Sequence, residues 1–371
     1  MKYSVVIPTY NNRDNLINSL EALVRLDYPG HCFEVIVVDD GSSDGLIAAI
    51  AGFRHRLGLR TVRLERDDHS CRSRARNHGW KIALGKYVVF IDSDMIVKPD
   101  YLKQLDRYFA GADDCMVIGT RIHSPARVHV RSIADGSLFE TVRFAADAIP
   151  SLDYRYLAFS AQSFNGRALP DAWLHAYSCN LAIPKRWLSA SAGFDENIVD
   201  WGLEDVELAY RLYKLGIHIE INPYLEAIHQ NPGHRDDVAI GQARLEGYLG
   251  NIHYFLSRHP GALAHHADPV DVLVEGHRYR ELVPGATDLC VDNFEDDCPA
   301  ELALDLIRMG EGRHDRIILF DYASASNLDV HVQKLHSPAC PILYFPMTRK
   351  VDVAAMMHYI SAMRAKTAAL A

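Results

Sequence analysis

The sequence predicts an α/β protein: a doubly wound, mostly parallel sheet followed by a small C-terminal α/β module. Three observations predict it. Strand-like and helix-like segments alternate through the first 100 residues, the pattern that builds parallel sheets through right-handed crossovers. The strand segments are unbroken apolar runs, as strands covered by helices on both faces require. Each strand gives way to polar or turn-forming residues.

Residues 3–7 read as the first strand, and residues 11–25 as a helix with Leu16, Leu20, Leu23 and Val24 at helical spacing. Tyr28-Pro29-Gly30 punctuates the chain. Residues 33–38 form a second apolar strand ending in Asp39-Asp40-Gly41-Ser42-Ser43-Asp44-Gly45. A third strand is expected at 59–64, a helix at 71–84 and a fourth strand at 86–91. Residues 120–175 are irregular, with Pro, Gly and mixed aromatics. Periodicity returns at 203–215, where Val206, Tyr210 and Tyr213 form a stripe and Gly216 offers a C-cap. A strand at 217–221 and a helix at 242–256 follow. Near Pro260-Gly261 the composition turns small and His-rich, which places a boundary between residues 1–258 and 259–371. The tail offers strands at 316–320 and 342–345 and helices near 300–309 and 353–369.

With 49% apolar and 23% charged residues, the chain can bury a sizeable core. A net charge of −9, without a basic block, argues against nucleic acid as a partner. The short run Arg72-Ser73-Arg74-Ala75-Arg76 points to a confined anionic ligand or, equally simply, to a solvated helix face. Seven scattered cysteines without a CxxC pair favour a reducing cytoplasm, with Cys115 as a buried free thiol. The first strand begins at Tyr3, which leaves no room for a signal peptide, and no apolar run has the length of a membrane span. Any membrane contact would be peripheral.

Chemistry concentrates at the carboxyl ends of the strands, the edge where open α/β sheets bind ligands. Phe90-Ile91-Asp92-Ser93-Asp94 runs an apolar strand into two carboxylates. Such a pair needs solvent, hydrogen bonds or a cation, and hard oxygen ligands suit Mg²⁺ or Mn²⁺. Alone, Asp-Ser-Asp reads more simply as a solvated turn after a strand. The first strand ends in Pro8-Thr9-Tyr10-Asn11-Asn12 and the second in Asp39-Asp40, on the same edge, with Arg72, Arg74 and Arg76 early in the helix before the fourth. An acidic residue there can bond a base or ribose, while arginine and a helix N-terminus can meet a diphosphate. The set describes a nucleotide-diphosphate site. A P-loop or GxGxxG dinucleotide site lacks its glycines.

The segments Val5-Val6-Ile7-Pro8-Thr9-Tyr10-Asn11, Val37-Val38-Asp39-Asp40-Gly41-Ser42-Ser43-Asp44, Ala75-Arg76-Asn77-x-Gly79 and Phe90-Ile91-Asp92-Ser93-Asp94 resemble family-2 glycosyltransferases of the GT-A (nucleotide-diphospho-sugar transferase) fold. Gly193-Phe194-Asp195-Glu196 and Trp201-Gly202-Leu203-Glu204-Asp205-Val206-Glu207 resemble the acceptor-side motifs of that family. With Ala227-Ile228-His229-Gln230, the likeness extends to bacterial chondroitin-polymerase-type transferase domains and covers roughly residues 1–256. The resemblance implies an inverting, metal-dependent transfer from a UDP-sugar to a hydroxyl acceptor, on a glycan, lipid-linked intermediate or small metabolite. It implies that Pro8, Thr9 and Tyr10 line the uracil pocket, Asp40 bonds the base and Arg76 lies near the nucleotide. Asp92 would face the ribose or sugar with Ser93 beside it, Asp94 and His229 would hold Mn²⁺ or Mg²⁺, and Asp205 would be the base. Trp201, Gly202, Glu204 and Asn180 fall on the acceptor side. Leu203 departs from the pattern, since many relatives carry a second Gly there.

Each residue also has a plainer reading. Glu204 and Asp205 suit any helix's first turn, Trp201 could anchor the helix, Asn180 could cap a strand, and His234 competes with His229. A nucleotide-sugar-binding scaffold without catalysis, a nucleotidyltransferase and a retaining transferase remain as alternatives. The tail is left as a docking, acceptor-binding or oligomerisation element.

Overall fold

The computed structural model describes residues 1–110, 114–124, 127–141, 155, 159, 162–230, 238–266, 269–270, 272–273, 279–281, 288–293, 316–321 and 342–346. The first half follows the expected alternation: β1 (Tyr3–Thr9), α1 (Arg13–Val24), β2 (Phe33–Asp39), α2 (Leu46–Ile50), β3 (Leu59–Arg63), α3 (Arg72–Ile82) and β4 (Tyr87–Ile91). Then come β5 (Met95–Val97), α4 (Tyr101–Phe109), β6 (Cys115–His123), α5 (Val130–Ala134), α6 (Ser137–Thr141), β7 (Asn180–Pro184), α7 (Lys185–Ser191), α8 (Glu204–Lys214), β8 (His218–His229) and α9 (Val238–Arg258). Strands β9 (Tyr279–Glu281), β10 (Asp288–Asn293), β11 (Arg316–Asp321) and β12 (Ile342–Pro346) form a separate sheet in the order β12-β11-β10-β9. The helices expected near 300–309 and 353–369 lie outside the described residues.

The large sheet has the order β3-β2-β1-β4-β7-β6-β8-β5. Strands β3, β2, β1 and β4 are parallel, as expected. Strand β7 is antiparallel to both β4 and β6, β6 pairs parallel with β8, and β5 pairs antiparallel with β8. Strand β5 was not anticipated, and β7 was expected only as a strand that Asn180 caps, without its antiparallel place in the sheet. Met95–Val97 is too short for a periodic signal.

Alternation along the strands sends Val5, Ile7, Val35 and Val37 into one core and Val6, Ile36, Val38, Val88 and Phe90 into the other. Strands buried on both faces cannot slip register without exposing apolar surface, which fixes the strand ends relative to one another. Gly79 lets α3 approach β1, since a Cβ there would lie 2.3 Å from Val6 Cγ1. Helix α3 begins where the Cys71 sulfur accepts from the Arg74 amide, and α8 ends at Gly216, with φ +93°, after the predicted C-cap pattern. Cys115 is buried and in no disulfide. Among the described residues, no helix is long and apolar enough to cross a membrane.

Candidate active site

The parallel register brings the ends of β1 and β2 side by side, with Thr9 opposite Asp39. Pro8 and Thr9 are buried, while Tyr10 is 45% exposed at the edge. The Arg66 guanidinium lies 3.7 Å from the Tyr10 ring centroid and donates to Asp40 Oδ2 at 2.8 Å. Asp40 Oδ1 is buried without a hydrogen-bond partner, as is Thr9 Oγ1. Burial pushes the Asp40 carboxyl up, and the Arg66 charge partly offsets this. Beside these residues a cavity of about 420 Å³ is lined by Gly41, Arg63, Leu64, Glu65 and Arg66. Asp39 instead shapes the turn, its Oδ1 accepting from the Ser42 amide and its Oδ2 from Arg63.

At the end of β4, Asp92 and Asp94 are partly exposed and Ser93 is buried. The Ser93 hydroxyl accepts from Asn12 Nδ2 at 2.8 Å and its carbonyl from the Ser19 hydroxyl. Ser93 therefore ties the turn to α1. Strand β5 follows at once and pairs with β8 in the register Met95–His229. That pairing sets His229 Nε2 3.6 Å from Asp94 Oδ2, and the Gln230 amide donates to the Asp94 carbonyl at 2.9 Å. Asp94 Oδ1 is buried without a hydrogen-bond partner. Burial pushes the Asp94 carboxyl up; His229 counters this and Asp92 adds to it. A carboxylate oxygen awaiting a partner and a neighbouring imidazole fit a divalent cation. His234 lies outside the described residues.

Arg76 is 2% exposed and spans two elements. It donates through Nη2 to Asp92 Oδ1 and through Nη1 to Glu204 Oε1, both at 2.9 Å. Burial pushes the Asp92 carboxyl up, but the guanidinium overcomes that and holds it below the usual carboxylate range. The Arg76 guanidinium thus bridges the end of β4 and the first turn of α8, at the edge where the nucleotide is expected. Arg74 is paired with Asp67, whereas Arg72 is exposed and its charge reaches Asp92.

The first turn of α8 carries Glu204 and Asp205. Asp205 Oδ2 accepts from the Ser178 amide at 3.0 Å and the Ser178 hydroxyl at 3.3 Å, and Oδ1 from the Val206 amide at 2.9 Å. Burial, then the charge of Glu204, pushes its carboxyl up to about 6. Ser178 precedes β7, whose first residue, Asn180, pairs with Ile91 at the end of β4. The antiparallel strand thus carries the residue that orients Asp205 to the Asp92 edge. Gly202, with φ +95°, turns the chain where a Cβ would lie 2.7 Å from Tyr248. Trp201 is 37% exposed and tilted against Tyr248, with ring centroids 5.6 Å apart, so it is no core anchor.

Asn180 is fully buried, donates to the Thr120 and Leu225 carbonyls at 2.8 Å, and accepts from the Tyr101 hydroxyl at 2.6 Å. It locks β6, β7 and β8 together, a structural role beside the acceptor-side one expected of it. Leu203 is buried and has φ +70°, a backbone conformation that glycine adopts at no steric cost. Sequence reasoning missed Arg66 and Ser178. Neither stands in a motif, though Arg66 was discoverable as a basic residue shortly beyond the third strand. Asn77 proved a staple between segments: its Nδ2 donates to the Phe194 carbonyl and its Oδ1 accepts from the Phe194 amide.

Residues 4–164 match the model of glycosyl transferase family 2, and residues 168–232 that of the N-terminal domain of galactosyltransferase. The chain is 30% identical over 268 residues to validoxylamine A glucosyltransferase of Streptomyces hygroscopicus subsp. limoneus, covering 70% of this chain and 57% of that protein. It is 29% identical over 240 residues to chondroitin synthase of Escherichia coli, covering 62% of this chain and 34% of that protein. The chain therefore spans little more than half the length of the first relative and about a third of the second. In fold it is similar to S. aureus TarS 1–349 in complex with UDP-GlcNAc, with a TM-score of 0.51, 19% identity, and coverage of 75% of this chain and 72% of that one.

Proposed function

We propose, from the premise that the chain carries a glycosyl transferase family 2 domain, that it is a metal-dependent, inverting glycosyltransferase moving a sugar from a UDP-sugar to a hydroxyl acceptor. The observation that carries this reading is Arg76. One buried guanidinium holds Asp92, at the nucleotide edge of the sheet, and Glu204, the neighbour of Asp205 on α8. The donor edge and a candidate base thus meet in a single site.

Tyr10, Thr9 and Asp40 are suited to the base, and Asp40 Oδ1, which has no hydrogen-bond partner, would accept its N–H. Asp94 and His229 would hold Mn²⁺ or Mg²⁺, which neutralises charge on a departing diphosphate. Exposed Arg72 is the cation of its run left to assist there. Asp205, its carboxyl raised to about 6, is ionised at neutral pH and basic enough to take the acceptor hydroxyl's proton. The acceptor oxygen forms its bond to the anomeric carbon as the bond to the diphosphate oxygen breaks, inverting that centre. The Ser178 amide and hydroxyl keep the carboxylate oriented. Trp201 offers a half-exposed ring on which a sugar's C–H face can stack.

UDP rather than another nucleotide rests on the motif resemblance. Glucosyl and N-acetylglucosaminyl donors are the first to test, given that TarS 1–349 is in complex with UDP-GlcNAc and the Streptomyces relative is a glucosyltransferase. In the test, UDP-sugars are supplied with Mn²⁺ to wild type and Asp205→Asn, and UDP release and donor binding are both followed. Loss of turnover by roughly 10²-fold or more, with donor affinity kept, is expected. Near-wild-type turnover would overturn the base assignment.

A further inference from the structure

A second group of ligand-bearing side chains shares no residue with the site above. Among the described residues it is the group in which three His, Cys, Asp or Glu ligand atoms lie within 4.8 Å of one another: Asp171, His265 and His266. The Nε2 atoms of both histidines converge on one oxygen, Asp171 Oδ2, at 2.8 and 3.0 Å. Their rings lie 4.2 Å apart. The other carboxylate oxygen, Oδ1, accepts from Trp173 Nε1 at 3.2 Å, and Trp173 is 1% exposed. A core side chain therefore fixes the carboxylate's orientation, as outer-shell partners do for ligating carboxylates. Asp171 also sits at φ +45°, a left-handed conformation that a non-glycine residue adopts at a cost and that gathers at built sites.

Hydrogen bonding alone would aim two neighbouring imidazole N–H groups at one oxygen. A divalent cation would replace both protons and use all three donors. Imidazole and carboxylate ligands at about 2.0–2.2 Å from zinc imply ligand–ligand edges of roughly 3.3 Å, close to the spacing already present. The side chains of His265 and His266 are 59% and 36% exposed, so water can complete the shell.

We propose that Asp171, His265 and His266 form a second divalent transition-metal site of the two-imidazole, one-carboxylate kind, suited to Zn²⁺. It clamps the segment after α9 to the turn before Trp173. That ring stacks on Phe255 of α9 and meets Tyr210 of α8, so the metal braces the layer that carries Asp205.

The test is equilibrium dialysis of the full chain against Zn²⁺ in excess Mg²⁺, with bound metal read by atomic emission. The wild type should retain one more zinc per chain than His265→Gln/His266→Gln, and Asp94→Asn should retain that same zinc. Asp171→Asn, which keeps an oxygen for Trp173, should weaken zinc binding by at least about tenfold. In the same excess Mg²⁺, Zn²⁺ should raise the Tm of the wild type by more than that of the double variant. Equal zinc in the wild type and the double variant would overturn the proposal, as would loss of the extra zinc in Asp94→Asn. Both histidines are partly exposed, so their replacement leaves the core intact.

Discussion

Replacing Arg76 by methionine removes the cation held between Asp92 and Glu204 while keeping most of the buried side-chain volume. Arg76 and Glu204 have side chains only 2% and 7% exposed, and each of the two bonds from the guanidinium is 2.9 Å long. A charge-assisted hydrogen bond contributes about 1.5–3 kcal/mol. The share from Asp92 is discounted, because its side chain is 33% exposed and water screens it. The dominant loss is Glu204, left charged and buried without its partner, and breaking a buried pair in this way costs about 3–5 kcal/mol. Arg76→Met should therefore lower stability by about 3–5 kcal/mol in urea denaturation followed by circular dichroism. Adding Glu204→Gln removes the stranded charge, so the double variant should recover about 2 kcal/mol of that loss. A single-variant cost below about 1 kcal/mol, or a double variant no more stable than the single, would refute the account of Arg76 as the buried link between α3, β4 and α8.

Asp205 should set the acid limb of the rate profile: kcat/KM falls as pH drops through about 6, and Asp205→Asn flattens that limb. Because folding raises this carboxyl, the stability it contributes is full below its unfolded value, near 3.9, and is lost as pH rises to about 6. Asp205→Asn should then match or exceed the wild-type Tm at pH 7, and a clear drop there would contradict the burial argument. Asn180→Ala strands the Tyr101 hydroxyl and deletes two bonds to carbonyls, for a loss of about 2–4 kcal/mol with turnover per folded molecule preserved. Turnover lost without a change in stability would instead support its acceptor role. Leu203→Gly relieves about 1 kcal/mol of left-handed strain but deletes a buried side chain worth about 2–5 kcal/mol, so denaturation should show a net loss. EDTA should abolish transfer and Mn²⁺ or Mg²⁺ restore it, while full activity in EDTA would remove the role assigned to Asp94 and His229.

By itself the sequence determined the parallel half of the sheet and the edge on which the candidate site lies. Continuous apolar runs such as Val5-Val6-Ile7 and Val35-Ile36-Val37-Val38 admit few other readings, and the polar residues that follow them must fall at strand ends. Asp40, Asp92, Asp94 and Asp205 could be named because they stand in local motifs at those ends or in a helix's first turn. Tertiary structure alone decided which side chains those carboxylates meet. Three-residue β5 and the antiparallel β7 carry no period of their own. Yet β5 delivers His229 to Asp94, and β7 brings Ser178, with Asp205 bonded to it, to the end of β4. Arg76 and Asn180 could be named from side-chain type, but their burial and their bonds across elements could not. The fold encloses both, and a buried polar group must spend its hydrogen bonds within the protein.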